Sequence, residues 1–297
     1  MIRRELRTTD GQVHWLLVSQ VEHARLSGLL ATQWTSSDFS PYEYQDEPLQ
    51  DATTKEILGA ITHHDDGWAR WEASPRIDPA YGRPYSFMNE LPLEESLVIW
   101  NDSIYAARQI GPLAGWLVAG HFSELLCQGN HQRDLPVVVW LEMLRQQRHE
   151  WLGEWQQANA KNILAIAERG LRLLQVCDFL SLWLCCDCPV MADEAVQKVQ
   201  PFMFQGPSGI YEFTARRQAC ESSKSPEVAG EVGWVVEGGT WPFADDELHL
   251  TADAWLAPVR RYENSQELLA ARRVVSIDWR LTRSLRRRWI SRRHNRE

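Results

Sequence analysis

Over the first two thirds of the chain, apolar residues recur at three- and four-residue spacing, the period of helices that bury one face. Val13–Val18 is a short apolar run that predicts a strand. Ser19-Gln20-Val21-Glu22 then has the S-x-x-E form of a capping box, which satisfies exposed amides and starts a helix. His23 falls in the first turns of that helix, with Gln20 three residues before it and Ser27 four after it on the same face. A second helix is predicted over residues 53–66, closed by Gly67. Ile57 and Ile61 lead to His64, and Leu58 and Ile61 lead to Asp65, so both polar residues point inward.

Residues 68–92 are rich in Pro, Gly and aromatic residues, among them Trp71, Pro75, Gly82, Pro84 and Phe87, and read as a long ordered loop. Leu93, Leu97, Trp100, Ile104 and Ala107 trace a third helix ended by Gly111. Ala114, Val118, His121 and Leu125 trace the apolar face of a fourth, with His121 toward the core. A fifth starts near Asp134 and Pro136 and carries Leu144, Trp151 and Trp155 inward. In a sixth, Ala167, Leu171, Leu174, Asp178 and Leu182 share one face, so an aspartate occupies a core position.

After Pro189 the pattern changes to short β-prone runs, 202–204, 210–214, 233–236, 248–250 and 274–279, separated by Gly, Pro and acidic turns. Residues 221–227 read as a flexible loop. The expectation is a mainly α fold: a helical bundle over residues 1–190, with a small C-terminal antiparallel β appendage over 191–297 packed on it (α+β), ending in a basic tail over 280–297.

Composition narrows the classes. With 44% hydrophobic and 24% charged residues the chain is an ordinary globular protein, outside the disordered and fibrous classes. A net charge of −9 argues against general nucleic-acid binding, which needs a concentrated positive surface, and the arginines of the tail read as a solvated terminus. There is no apolar signal region and no run long enough to span a membrane, so a cytoplasmic protein is expected, with its cysteines reduced. Cys185, Cys186 and Cys188 bunch together but lack a second pair at zinc-finger spacing. The 15 tryptophans, several near the candidate site, read first as core, although rigid indoles could also wall a cavity. Oligomeric state is not legible.

The chemistry lies in the polar residues on apolar faces. A buried carboxylate without a partner costs several kcal/mol, so Asp65 and Asp178 demand compensation. The nearest basic residues, Arg70 and Arg172, are not spaced to share their faces, which leaves a divalent cation as the simplest answer. His23, His64, Asp65, His121 and Asp178 form a mixed nitrogen and oxygen ligand set suited to Fe, Mn, Zn or Co, one ion or two, rather than to Ca or Mg. Any single histidine on an apolar face is more often a hydrogen-bonded core residue than a ligand; the five together are the stronger pattern.

The order His23, His64-Asp65, His121, Asp178 resembles the HD superfamily, in which an early histidine, a His-Asp doublet and a later aspartate hold metal in a helical bundle. The segments Gln20-Val-Glu-His-Ala-Arg-Leu-Ser-Gly and His64-Asp-Asp-Gly-Trp, with the loop from Trp71 to Phe87, also resemble an uncharacterised bacterial family, domain of unknown function 3891, which implies no activity. The HD resemblance implies a metal-dependent hydrolase acting on a phosphoester or other small polar substrate. The alternatives are an iron-dependent oxygenase on a small organic molecule and a non-catalytic binding or regulatory protein. No histidine lies between Asp66 and His121, so a ligand that many dinuclear members carry is missing. Under this reading His121 completes the metal shell or acts as general base, and Asp66 is a proton shuttle. Gln20, Ser27, Trp68 and Arg83 are second-sphere or substrate contacts, and His63, about 100° around the helix, is structural or supports the ligands. No dinucleotide glycine motif, Walker lysine or serine nucleophile elbow competes.

Overall fold

A computed structural model describes residues 1–8, 11–88, 91–128, 134–190, 198–218 and 233–284. The mainly α expectation is corrected: the chain is 49% helix and 24% strand, and a curled seven-stranded mixed sheet dominates the β part. Nor is the sheet a small C-terminal addition. Its order is β1-β2-β8-β9-β7-β6-β5, so strands from the first 20 residues sit in the same sheet as strands from the last 100.

The N-terminal pair is β1 (Ile2–Arg7) and β2 (Val13–Val18), and the C-terminal strands are β5 (Phe202–Gly206), β6 (Gly209–Gln218), β7 (Gly233–Gly238), β8 (Glu247–Pro258) and β9 (Arg273–Arg283). The decisive pairing is β2 with β8, antiparallel from His14 opposite Pro258 to Val18 opposite Ala254. All pairs are antiparallel except β7 with β9. In β8 burial alternates, with Leu248, Leu250, Ala252, Ala254 and Leu256 inward, as the two-residue period of a strand requires. Strand β2 is inside the sheet and covered on both faces: Leu16 and Val18 join the main core, while Trp15 and Leu17 join a second core with Ala257, Tyr262 and Leu268.

Among the described residues of the first 190, seven helices and a small hairpin accompany the strands: α1 (Gln20–Thr32), β3 (Glu43–Tyr44), β4 (Glu47–Pro48), α2 (Asp51–His63), α3 (Trp68–Ala73), α4 (Leu93–Ile110), α5 (Pro112–Gln128), α6 (Leu135–Ala158) and α7 (Leu164–Cys186). The capping box is present in half: Ser19 Oγ accepts from the Glu22 amide at 2.9 Å, while Glu22 turns to Arg25. The stretch read as loop from Trp68 begins with a helical turn, α3, before becoming irregular. Helix α8 (Ser265–Ala271) caps the second core, capped in turn by Asn264.

Glycine lets α1 and α2 meet closely: a Cβ on Gly28 would lie 2.2 Å from Thr62 Oγ1. Helices α1, α5 and α7 and the turn that follows α2, which ends at His63 and not at residue 66, bring their polar core positions to one point, with α1 and α7 against the sheet. The basic tail begins in order, not as a frayed end: Arg280 and Arg283 belong to β9 and pair with Glu247 and Asp246. Its remaining arginines, and the expected loop at 221–227, lie outside the described residues. No helix among the described residues is long and apolar enough to cross a membrane.

Candidate metal centre

The five predicted ligands come together in the core. His23 and His64 are 0% exposed, His121 2%, Asp178 3% and Asp65 4%. His23 Nε2 lies 2.8 Å from Asp65 Oδ2, His64 Nε2 3.1 Å from Asp178 Oδ1, and His121 Nε2 3.5 Å from Asp178 Oδ2. Two overlapping sets, His23-His64-Asp65 and His64-His121-Asp178, each place their ligand atoms within 4.8 Å of one another.

Hydrogen bonds behind the rings decide what the front nitrogens present. His64 Nδ1 donates to the Ile61 carbonyl at 2.8 Å. Ser181 Oγ lies 2.8 Å from the Asp178 carbonyl, 2.8 Å from Ser27 Oγ and 2.9 Å from His23 Nδ1; with its single proton on the carbonyl it accepts from His23 Nδ1. With both Nδ1 atoms protonated, the neutral form of either ring turns a bare Nε2 lone pair toward a carboxylate oxygen. Two acceptors at such distances repel unless a proton or a cation lies between them.

Burial alone would lower His64, but the charge of Asp65 and the hydrogen bond and charge of Asp178 outweigh it and push the imidazole up to about 9. Burial would raise Asp178, yet the facing His121 and the bonded His64 bring it down to about 2. Burial dominates at His121, whose basicity falls despite Asp178, and its Nδ1 has no hydrogen-bond partner among the described residues. The pocket is thus built to hold positive charge between its carboxylates. A divalent cation suits the donor set, nitrogen and carboxylate oxygen, although the His64 Nε2 to Asp65 Oδ2 edge of the first set, 3.9 Å, is wider than two ligands of one metal usually stand. Nδ1 donation to a carbonyl or hydroxyl is also how metal-binding histidines are oriented.

The remaining predicted residues divide. Ser27 lies behind the site, with Oγ 3.1 Å from the His23 carbonyl and 2.8 Å from Ser181 Oγ. Gln20 is buried at the start of α1; its amide donates to Glu72, and its side-chain carbonyl has no partner among the described residues. Trp68 follows the ligand turn, its amide donating to the Asp65 carbonyl at 3.0 Å and its ring packed edge-on against Trp71. Asp66 turns outward to His63 at 3.0 Å, on the surface. Arg83 is not brought to the cluster: it lies 3.8 Å from Asp78 and stacks over Tyr81.

Sequence reasoning missed Ser181 and Glu72. Ser181 had a signal, since it stands three residues after Asp178 on the same helical face. Glu72 had none, because its role depends on α3, which the aromatic composition concealed.

The family model described as "Protein of unknown function (DUF3891)" matches residues 1–256. The chain belongs to this family. The match runs through all five clustered residues and on into β8, so it covers the helices that hold the cluster and every strand of the sheet except β9 and the last two residues of β8. No curated protein and no solved structure matches the chain.

Proposed function

We propose that this DUF3891 protein is a metal-dependent hydrolase in which His23, His64, Asp65 and Asp178 hold a divalent transition-metal ion, Fe, Mn or Zn. The observation that carries the reading is the opposition of two Nδ1-committed histidines to two buried carboxylates. The ligand order along the chain is that of the HD pattern, although the fold around it is not an all-helical bundle. A cation in this position supplies Lewis acidity toward a bound water.

The chain's own groups do the rest. Ile61 and Ser181 fix the two ligand rings. His121, made less basic by burial and carrying an Nδ1 without a partner among the described residues, either joins the ligand shell of the second set or takes the proton of the attacking water. Asp66, next in the chain to Asp65 and paired with His63 at the surface, is the route by which that proton leaves. The substrate class is a small polar ester, phosphoesters first.

The test is hydrolysis of bis(p-nitrophenyl) phosphate and p-nitrophenyl acetate by protein reconstituted with Mn or Zn. Metal-dependent turnover is expected, lost in His64→Gln and reduced about 10²–10⁴-fold in His121→Gln. One observation favours a second reading, a metal that serves stability alone: every one of the five residues is at least 96% buried. Bound metal with no turnover on either ester would support that reading over hydrolysis.

A further inference from the structure

A second site is built at the opposite end of two of the same helices. The β3-β4 hairpin, the start of α2 and the start of α7 enclose a cavity of about 430 Å3. Thr53 lies one turn into α2, and the eleven residues from there to His64 span about 16 Å along a helix axis. The cavity is therefore separate from the His/Asp cluster.

Its wall carries polar groups that the fold leaves unused. Thr53 lines the cavity and is 3% exposed, and its hydroxyl bonds to no described residue. Asn162, 8% exposed, also lines it; its Nδ2 donates to the Trp155 carbonyl at 2.6 Å, which fixes the amide orientation and leaves Oδ1 as a free acceptor. Lys161 and Glu47 line the same space, and neither side chain has a charged partner among the described residues. Neither α2 nor α7 has a side-chain cap, and α7 has no acidic residue in its first turn. The Ile166 amide is already bonded to the Ile163 carbonyl at 3.0 Å, so the donors of the lining are the side chains of Thr53 and Lys161. Tyr44, Pro48, Leu49, Ile163 and Ile166 supply the apolar part of the lining, and Gln45 and Gln50 complete it.

We infer that this cavity binds a small zwitterion with an apolar body, of which an apolar α-amino acid is the simplest. The unused donors, Lys161 and the Thr53 hydroxyl, suit a carboxylate. The unused acceptors, Asn162 Oδ1 and the Glu47 carboxylate, suit an ammonium group. The apolar wall takes the side chain, and the volume exceeds what one amino acid of leucine size fills. A ligand carrying both charges would meet both sets at once, while its apolar body fills the apolar part of the lining.

Isothermal titration calorimetry of the full chain with L-leucine tests this, with 4-methylpentanoate and 3-methylbutylamine as probes lacking the ammonium or the carboxylate. Saturable leucine binding is expected, weakened about 10-fold or more for either truncated probe, the loss of one charge-assisted interaction. Thr53→Val and Lys161→Ala should each weaken leucine binding comparably; Lys161 is exposed, so its variant keeps the test valid if Thr53→Val disturbs the helix. Absence of binding up to the solubility limit, equal binding of a truncated probe, or binding unaffected by Lys161→Ala would overturn the inference.

Discussion

Gly67→Ala separates close packing from local backbone preference, because the two predict opposite signs. Gly67 has φ −60° and ψ −20°, ordinary right-handed geometry that alanine adopts freely. On propensity alone the substitution stabilises, by about 0.4–1 kcal/mol. The structure says otherwise. A Cβ at this position would stand 2.1 Å from the Ile99 carbonyl oxygen, 2.6 Å from the Ser103 amide nitrogen and 2.8 Å from Ser103 Oγ. The first two are backbone atoms of α4 and cannot rotate aside. Against a contact separation of about 3.5 Å the helix must retreat by roughly 1.4 Å. Overpacking of that kind costs about 1–3 kcal/mol. The Gly67 amide also donates to Ser103 Oγ at 3.0 Å, and losing that bond adds about 1 kcal/mol. The net expectation is a loss of about 2 kcal/mol, or a urea midpoint lower by about 1 M at a typical slope. Because the same turn carries His64 and Asp65, metal affinity should fall with it. A midpoint equal to or above wild type in urea titration followed by tryptophan fluorescence would refute the packing argument.

Three further outcomes follow from the geometry. Ser181→Ala removes the acceptor of His23 Nδ1 and should lower metal affinity about 10–100-fold, measured by competition with a chelator. Tyr211 is pushed up to about 12, first by burial and then by its bond to Asp38, which outweigh the opposing bond to Ser36. A group that holds its proton more tightly when folded contributes stability below its unfolded value near 10, lost as pH rises toward about 12. Tyr211→Phe should therefore flatten the alkaline fall in stability across that window, and an unchanged slope in denaturation at stepped pH would count against the Asp38 contact. Gly28→Ala should destabilise by about 1–3 kcal/mol through the α1-α2 crossing, and thermal denaturation matching wild type would contradict that crossing.

The site was far more legible than the fold. His23, His121 and Asp178 each interrupt an apolar stripe of helical period, a local signal that needs no knowledge of what the helix packs against. The sheet offered no such signal. Strand β1 reads Ile-Arg-Arg-Glu-Leu-Arg, with only Ile2 and Leu6 buried, so its charges hide a strand. Strand β2 was found, but its partner β8 lies some 240 residues away, and a pairing of that range leaves no periodicity in either segment. An appendage was the natural inference from runs that cluster late in the chain. Their incorporation of β1 and β2 is a tertiary fact. The orientation of the ligand rings was equally hidden, since it depends on a carbonyl at Ile61 and a hydroxyl at Ser181.

The central claim is that two buried carboxylates and two Nδ1-committed histidines hold a transition metal. Elemental analysis of untagged protein, wild type beside His64→Gln and Asp178→Asn, tests it most directly. The account predicts one to two equivalents of Fe, Mn or Zn in the wild type and under about a tenth of that in folded variants, given the 10–100-fold losses that even supporting residues cause. Metal-free wild type that stays metal-free after anaerobic reconstitution with each ion would contradict it.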